Sequence, residues 1–270
     1  RYLLPILLFS ISIITLLYYL FSTLKNDYNN ITFLTKSEVS NFFLLDNDTY
    51  VAKLSQADLH ARKVKSKEEY KSIIQKCSRD FAQNEKKRIQ ICCDKADDFL
   101  KNFTYQDMSC EYISKLPWKF ACTINYKQYE YEEGFSHTRQ DIIFLSSKII
   151  NNHIAVYEED ENLTSTLIHE KIHIFQRKNP YIMNKFLKNK GYEECNIKIE
   201  NKRSNPDIDD KIYRSPVSKE CMFFNYRSST PKKINDVFQS NHSEEHPYEK
   251  MAYDIANEYS LKDMRRYKSI

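Results

Sequence analysis

The chain has 270 residues, with 41 Lys and Arg against 37 Asp and Glu, a net charge of +4. Charges of both signs in near balance, with no dense Lys/Arg stripe, argue against an electrostatic nucleic-acid binder, so no nucleic-acid partner is expected. Gly134 and Gly191 are the only glycines, which excludes the Gly-rich phosphate loops of nucleotide-binding folds.

Residues 2–24 carry no charge and are rich in Leu, Ile, Phe and Tyr. A bilayer-spanning helix needs roughly 20 apolar residues, whereas the apolar part of a cleaved signal peptide runs to about 7–15 and ends at a small-residue site. No such site is present, and Tyr18, Tyr19 and Phe21 lie near one end, as interfacial aromatics do. Residues 1–25 are therefore expected to be a transmembrane signal anchor, making the chain a single-pass membrane protein with the lipid bilayer as a partner. Arg1 before the span and Lys25 and Lys36 after it give too small a contrast to set the orientation. The triplets Asn30-Ile31-Thr32, Asn102-Phe103-Thr104 and Asn162-Leu163-Thr164 suit a lumenal body, but chance triplets are expected in a chain so rich in Asn. The side of the membrane stays open.

Beyond the span, Thr35 can cap a helix beginning at Lys36-Ser37-Glu38, and Ser55 another running through Leu59, His60 and Val64. Ser66 precedes a long segment, 67–102, in which Tyr70, Ile73, Ile74, Cys77, Phe81, Ile89, Ile91 and Leu100 recur at helical spacing without Pro or Gly. Residues 26–103 are expected to form a helical lead-in subdomain. After Phe103 the pattern changes. Cys122, Ile124, Tyr126 and Tyr129 alternate with polar residues across 120–131, as in a half-buried strand. Asp141–Leu145 and His153–Tyr157 are short apolar runs of strand length, the second following the turn pair Asn151-Asn152. A helix is expected from Thr164 to Arg177, stopped by Asn179-Pro180. Residues 189–220 are polar and turn-rich, with Asn205-Pro206-Asp207; Met222–Tyr226 reads as a strand; Pro247 opens a last helix to Leu261. The fold class is α+β, with residues 104–270 as one domain. Seven cysteines occur, none as C-x-x-C. An odd count accommodates buried thiols as readily as a disulfide framework.

One segment carries chemistry. Thr166–Phe175 contains His169-Glu170-Lys171-Ile172-His173, an H-E-x-x-H pattern on an expected helix. Spacing of four puts His169 and His173 one turn apart on the same face, where two imidazoles can bind one zinc ion. Glu170, slightly round the helix, can reach a zinc-bound water as general base. The plainer alternative is an amphipathic helix with two hydrogen-bonded histidines. A catalytic zinc also needs a third protein ligand. His246, His242 and His153 are candidates on residue type alone, His246 the strongest.

H-E-x-x-H followed on a later helix by Pro247-x-Glu249-x-x-Ala252-Tyr253 resembles the gluzincin class of zinc metallopeptidases. The resemblance covers roughly residues 160–260. It implies a zincin-like domain, zinc as cofactor, a protein or peptide substrate, and Glu249 as the third ligand. Read without it, Glu249 is the third residue of its helix, where a carboxylate satisfies free amides. Composition and anchor are also similar to those of predicted metallopeptidases of large DNA viruses. The 75 residues between His173 and Glu249 are long for compact members of the class, and an inserted loop and strand are expected there. Tyr253, Tyr226, Arg139 and His246 are candidates to stabilise an oxyanion, residues 141–145 to hold a substrate strand, and Asp254 or Asn257 to orient a ligand. The expected function is zinc-dependent peptide-bond hydrolysis. The alternative is a catalytically inactive, membrane-anchored interaction protein on a peptidase scaffold. A DNA-directed peptidase is disfavoured by the anchor and by the absence of a basic stripe.

Overall fold

Helix starts follow the local capping chemistry. In this computed structural model, which describes residues 31–151, 161–239 and 244–267, Thr35 and Glu38 form a reciprocal capping box at helix α1, Lys36–Leu45. Ser55 and Asp58 do the same at α2, Gln56–Ala61, and the Ser66 hydroxyl accepts the Glu69 N–H at α3, Lys67–Ile74. The expected anchor at 1–25, the strand at His153–Tyr157, and the rival ligands His153 and His242 lie outside the described residues. Among those described, no helix is long and apolar enough to cross a membrane.

The segment 67–102 is not one continuous helix. It breaks after Ile74 into a strand, β2 (Ser78–Arg79), and resumes as α4, Gln83–Lys101. No Gly or Pro is needed for the break because tertiary contacts outweigh helix propensity. Ser78 and Arg79 pair antiparallel with Thr123 and Cys122, and the Arg79 guanidinium holds Glu85, whose carboxylate accepts the Ala82 N–H at 2.8 Å.

That pairing belongs to the central sheet, whose strands are β1 (Ile31–Phe33), β2, β3 (Trp118–Thr123), β4 (His137–Arg139) and β5 (Ile142–Ser146). β1 and β2 share one edge of β3, β1 parallel and β2 antiparallel; β5 lies parallel on the other edge of β3, and β4 closes the sheet antiparallel to β5. The alternating run expected from 120 to 131 ends as a strand at Thr123. A small hairpin, Asn125–Tyr126 against Tyr129–Glu130, continues the alternation in a separate ladder.

Side-chain alternation sends the sheet into two cores. Trp118, Phe120, Cys122, Ile143 and Leu145 face a cluster shared with α4 and two later helices, α5 (Glu161–Lys178) and α7 (Pro247–Tyr267). Ala121, Ile142 and Phe144 face the other cluster with Val39, Phe43 and Tyr70. Strands and a core helix from residues 31–101 thus share one sheet and one core with the chain beyond Phe103. The architecture is mixed α+β. Between α5 and α7 run a further helix, α6 (Pro180–Asn189), and short ladders that include β6 (Phe224–Tyr226) paired with β7 (Val237–Gln239).

Candidate metal centre

Helix α5 is held from behind. Leu167, Ile168, Ile172 and Ile174 are fully buried, and so is Lys171, which pairs with Asp97, donates to the Ser114 carbonyl at 3.0 Å and sits over the Trp118 ring. The helix stops at Asn179, whose amide donates to the Phe175 carbonyl before Pro180. Small residues let α7 approach closely: Ala252 and Ala256 are buried, and Ser165 donates to the Ala256 carbonyl at 3.2 Å.

This packing brings three side chains together. His169 Nε2 and His173 Nε2 lie 3.0 Å apart, and Glu249 Oε2 is 3.4 Å from the first and 3.6 Å from the second. Ligands about 2.0–2.1 Å from a tetrahedral ion stand about 3.3–3.4 Å from one another, so a triangle of this size matches one face of such a site. His169, His173 and Glu249 are also the one group of metal-capable side chains found among the described residues.

The supporting contacts make the donors ready. His173 Nδ1–H donates to Gln176 Oε1 at 2.9 Å, which leaves the Nε2 lone pair facing the centre. Gln176 is itself fixed, since its amide donates to the Tyr248 carbonyl at 3.0 Å. Glu249 Oε1 accepts from Asn205 Nδ2 at 2.7 Å. Burial alone would raise the Glu249 carboxyl, but the neighbouring His173 charge and the hydrogen bonds from His169 and His173 outweigh it and hold the group well below its ordinary value. His173 is shifted the other way: burial lowers it, and Glu249 more than compensates. The centre draws positive charge, and a divalent cation would take the place of that proton.

Glu170 is buried, and its Oε2 has no hydrogen-bond partner. Burial first, then the carboxylates of Asp207 and Glu249, push it well above the ordinary carboxylate range. An orphaned buried carboxylate oxygen is costly unless a polar group comes to it. His169, Glu249, Asn205, Asp207 and Tyr253 line a cleft of about 480 Å³ whose wall also includes His137 of β4.

The other expected residues are distributed differently. His246 has both ring nitrogens committed: Nδ1 accepts the Tyr248 N–H at 3.1 Å, and Nε2 lies 3.2 Å from Asp209 Oδ1. It anchors the start of α7 and is not in the ligand triangle. Tyr226 donates to Asp58 at 3.1 Å, and Arg139 is buried among Asp46, Asp48 and Tyr131, so neither faces the centre. Tyr253 does, half-exposed, with its ring 4.5 Å from the His169 ring. Burial and the carboxylates of Glu249 and Glu170 push its hydroxyl up to about 12. Asp254 takes Tyr105 and Lys250, whereas Asn257 lines the cleft. The expected substrate strand, 141–145, has no open edge because β5 is flanked by β3 and β4; the edge belongs to β4.

Sequence reasoning missed Gln176 and Asn205. Gln176, three residues after His173, shares its helical face, a spacing legible in advance. Asn205 stands in a segment that reads as a turn, and nothing local ties it to Glu249. No family model, curated protein or solved structure matches the chain.

Proposed function

We propose that the chain is a zinc-dependent metallopeptidase of the gluzincin type, with zinc held by His169, His173 and Glu249 and Glu170 as its general base. The observation that carries this reading is the triangle of two imidazole nitrogens and one carboxylate oxygen, with the buried, unpartnered Oε2 of Glu170 on the same helix. Bound there, zinc would supply Lewis acidity to a peptide carbonyl and to water. Glu170 takes the proton of the attacking water at Oε2 and passes it to the leaving amine. Tyr253 keeps its phenolic proton and donates a hydrogen bond to the oxygen of the reacting carbonyl. The core behind α5 keeps water from the far side of the centre.

The test uses the full chain in detergent micelles. Wild type is expected to carry about one zinc per chain and to cleave fluorescently labelled casein. Glu170→Gln keeps both imidazoles and should retain zinc while losing roughly 10²-fold or more in rate. A Glu170→Gln variant as fast as wild type, or stoichiometric zinc kept by the His169→Ala/His173→Ala double variant, would overturn the assignment. Residues 2–24 are proposed, on their sequence, as the single-pass anchor. The full chain should then stay in the membrane fraction through a carbonate wash, and its release would remove that proposal.

A further inference from the structure

The long segment between the two ligand helices is more than a cleft wall. Residues 196–220 are closed off by the Cys195–Cys221 disulfide, and within them Asn205 reaches back to α7. Its amide nitrogen donates to Glu249 Oε1 at 2.7 Å and to Glu245 Oε1 at 2.8 Å, while its Oδ1 accepts the Asp207 N–H at 2.9 Å. Arg203 also pairs with Glu245, so one chain of contacts runs from Arg203 through Glu245 and Asn205 to Glu249.

The backbone beneath Asn205 is pinned from three sides. On one side Arg203 N–H donates to the Phe224 carbonyl at 2.9 Å, and Tyr226 N–H to the Asn201 carbonyl at 2.9 Å. On another, Ser204 donates through its N–H and hydroxyl to Asp58 of α2, at 3.0 and 2.8 Å. From α5, four residues beyond His173, Arg177 donates to the Pro206 carbonyl at 2.9 Å and to the Gln140 carbonyl at 2.6 Å. A side chain held this way keeps its orientation without help from a ligand.

The consequence concerns the number of oxygens that Glu249 offers. With Oε1 engaged by Asn205, only Oε2 faces the two imidazoles. A carboxylate tied in this way binds through one oxygen and leaves a position open, as a catalytic zinc site requires. We propose that Asn205 is a positioning residue for the metal centre, which restricts Glu249 to a single coordinating oxygen and orders it for the ion. This rests on the zinc reading above and assigns the inserted segment a part in building the centre.

The experiment compares wild type with Asn205→Ala and Asn205→Asp, each as the full chain in detergent. Zinc affinity is read by competition with a chromophoric chelator, and coordination by the visible spectrum of the Co²⁺-substituted protein, whose bands weaken as coordination rises from four to five. Asn205→Asp keeps the size and shape of the side chain and can still accept the Asp207 N–H; as a carboxylate it lacks the donor and adds a negative charge beside Glu245 and Glu249. Both variants are expected to bind zinc about ten-fold or more weakly, with weaker cobalt bands and unchanged circular dichroism. Wild-type affinity in either variant would overturn the proposal, since the donor is missing from both. Should Asn205→Ala fail to fold, Asn205→Asp carries the test alone. If wild type itself binds neither ion, the zinc reading fails, an outcome distinct from a zinc-binding wild type whose variants match it.

Discussion

The contrast between His246 and Glu249 shows how a single residue's role depends on which atoms remain available. Both are buried within the first turn of α7 or just before it, and both can ligate metal in principle. His246 has spent its two nitrogens on Tyr248 N–H and Asp209, whereas Glu249 has one oxygen on Asn205 and the other facing His169 and His173. Glu249→Gln should therefore lower zinc affinity and activity together. His246→Ala should leave zinc affinity within about three-fold of wild type and instead cost about 1–3 kcal/mol of stability, because Tyr248 N–H and Asp209 lose a buried partner. Chelator competition and urea unfolding separate the two. Zinc loss in His246→Ala with tight binding in Glu249→Gln would make His246 the ligand and end the gluzincin assignment.

At the scale of elements, the end of α2 and the turn Tyr131–Gly134 bring a buried ion pair together. Glu132, at φ 46°, accepts from Arg62 Nε at 3.0 Å and from the Tyr70 hydroxyl at 2.6 Å. Burial would raise the Glu132 carboxyl, but the Arg62 guanidinium and the hydrogen bonds overcome it and leave the group below its ordinary 4.5. A carboxyl depressed in the fold stabilises the protein above its unfolded pKa and loses that contribution as pH falls through the folded one. The urea midpoint should thus fall as pH drops below about 4.5, and Glu132→Gln should be less stable at pH 7 and show a shallower acid dependence. An identical acid slope in that variant would refute the pairing as a source of acid sensitivity. The caps at Thr35, Ser55 and Ser66 were legible because each is a contact within four residues. The interruption at 75–82 was not, because the ladder that causes it joins Arg79 to Cys122 across the chain.

For the molecule as a whole, the cysteines report the fold. Cys195 and Cys221 form a disulfide, and Cys77, Cys92, Cys93, Cys110 and Cys122 are buried thiols. Denatured protein without reductant should titrate five thiols, rising to seven after reduction, and native protein close to none. Seven thiols in unreduced, denatured chain would remove the disulfide. The sequence by itself determined the α+β class, the capped helix starts, the two histidines on one face of α5 and the start of α7 at Pro247. These depend on helical periodicity and on contacts a few residues apart. Only the tertiary structure decided that His246 turns to Asp209, that β4 and not β5 is the sheet edge, and that Asn205 meets Glu249. The first and the last join segments tens of residues apart, and the edge is set by β5 pairing with the distant β3 as well as with its neighbour β4. Such pairings depend on which surfaces the packed sheet and helices bring together, and no local pattern encodes that.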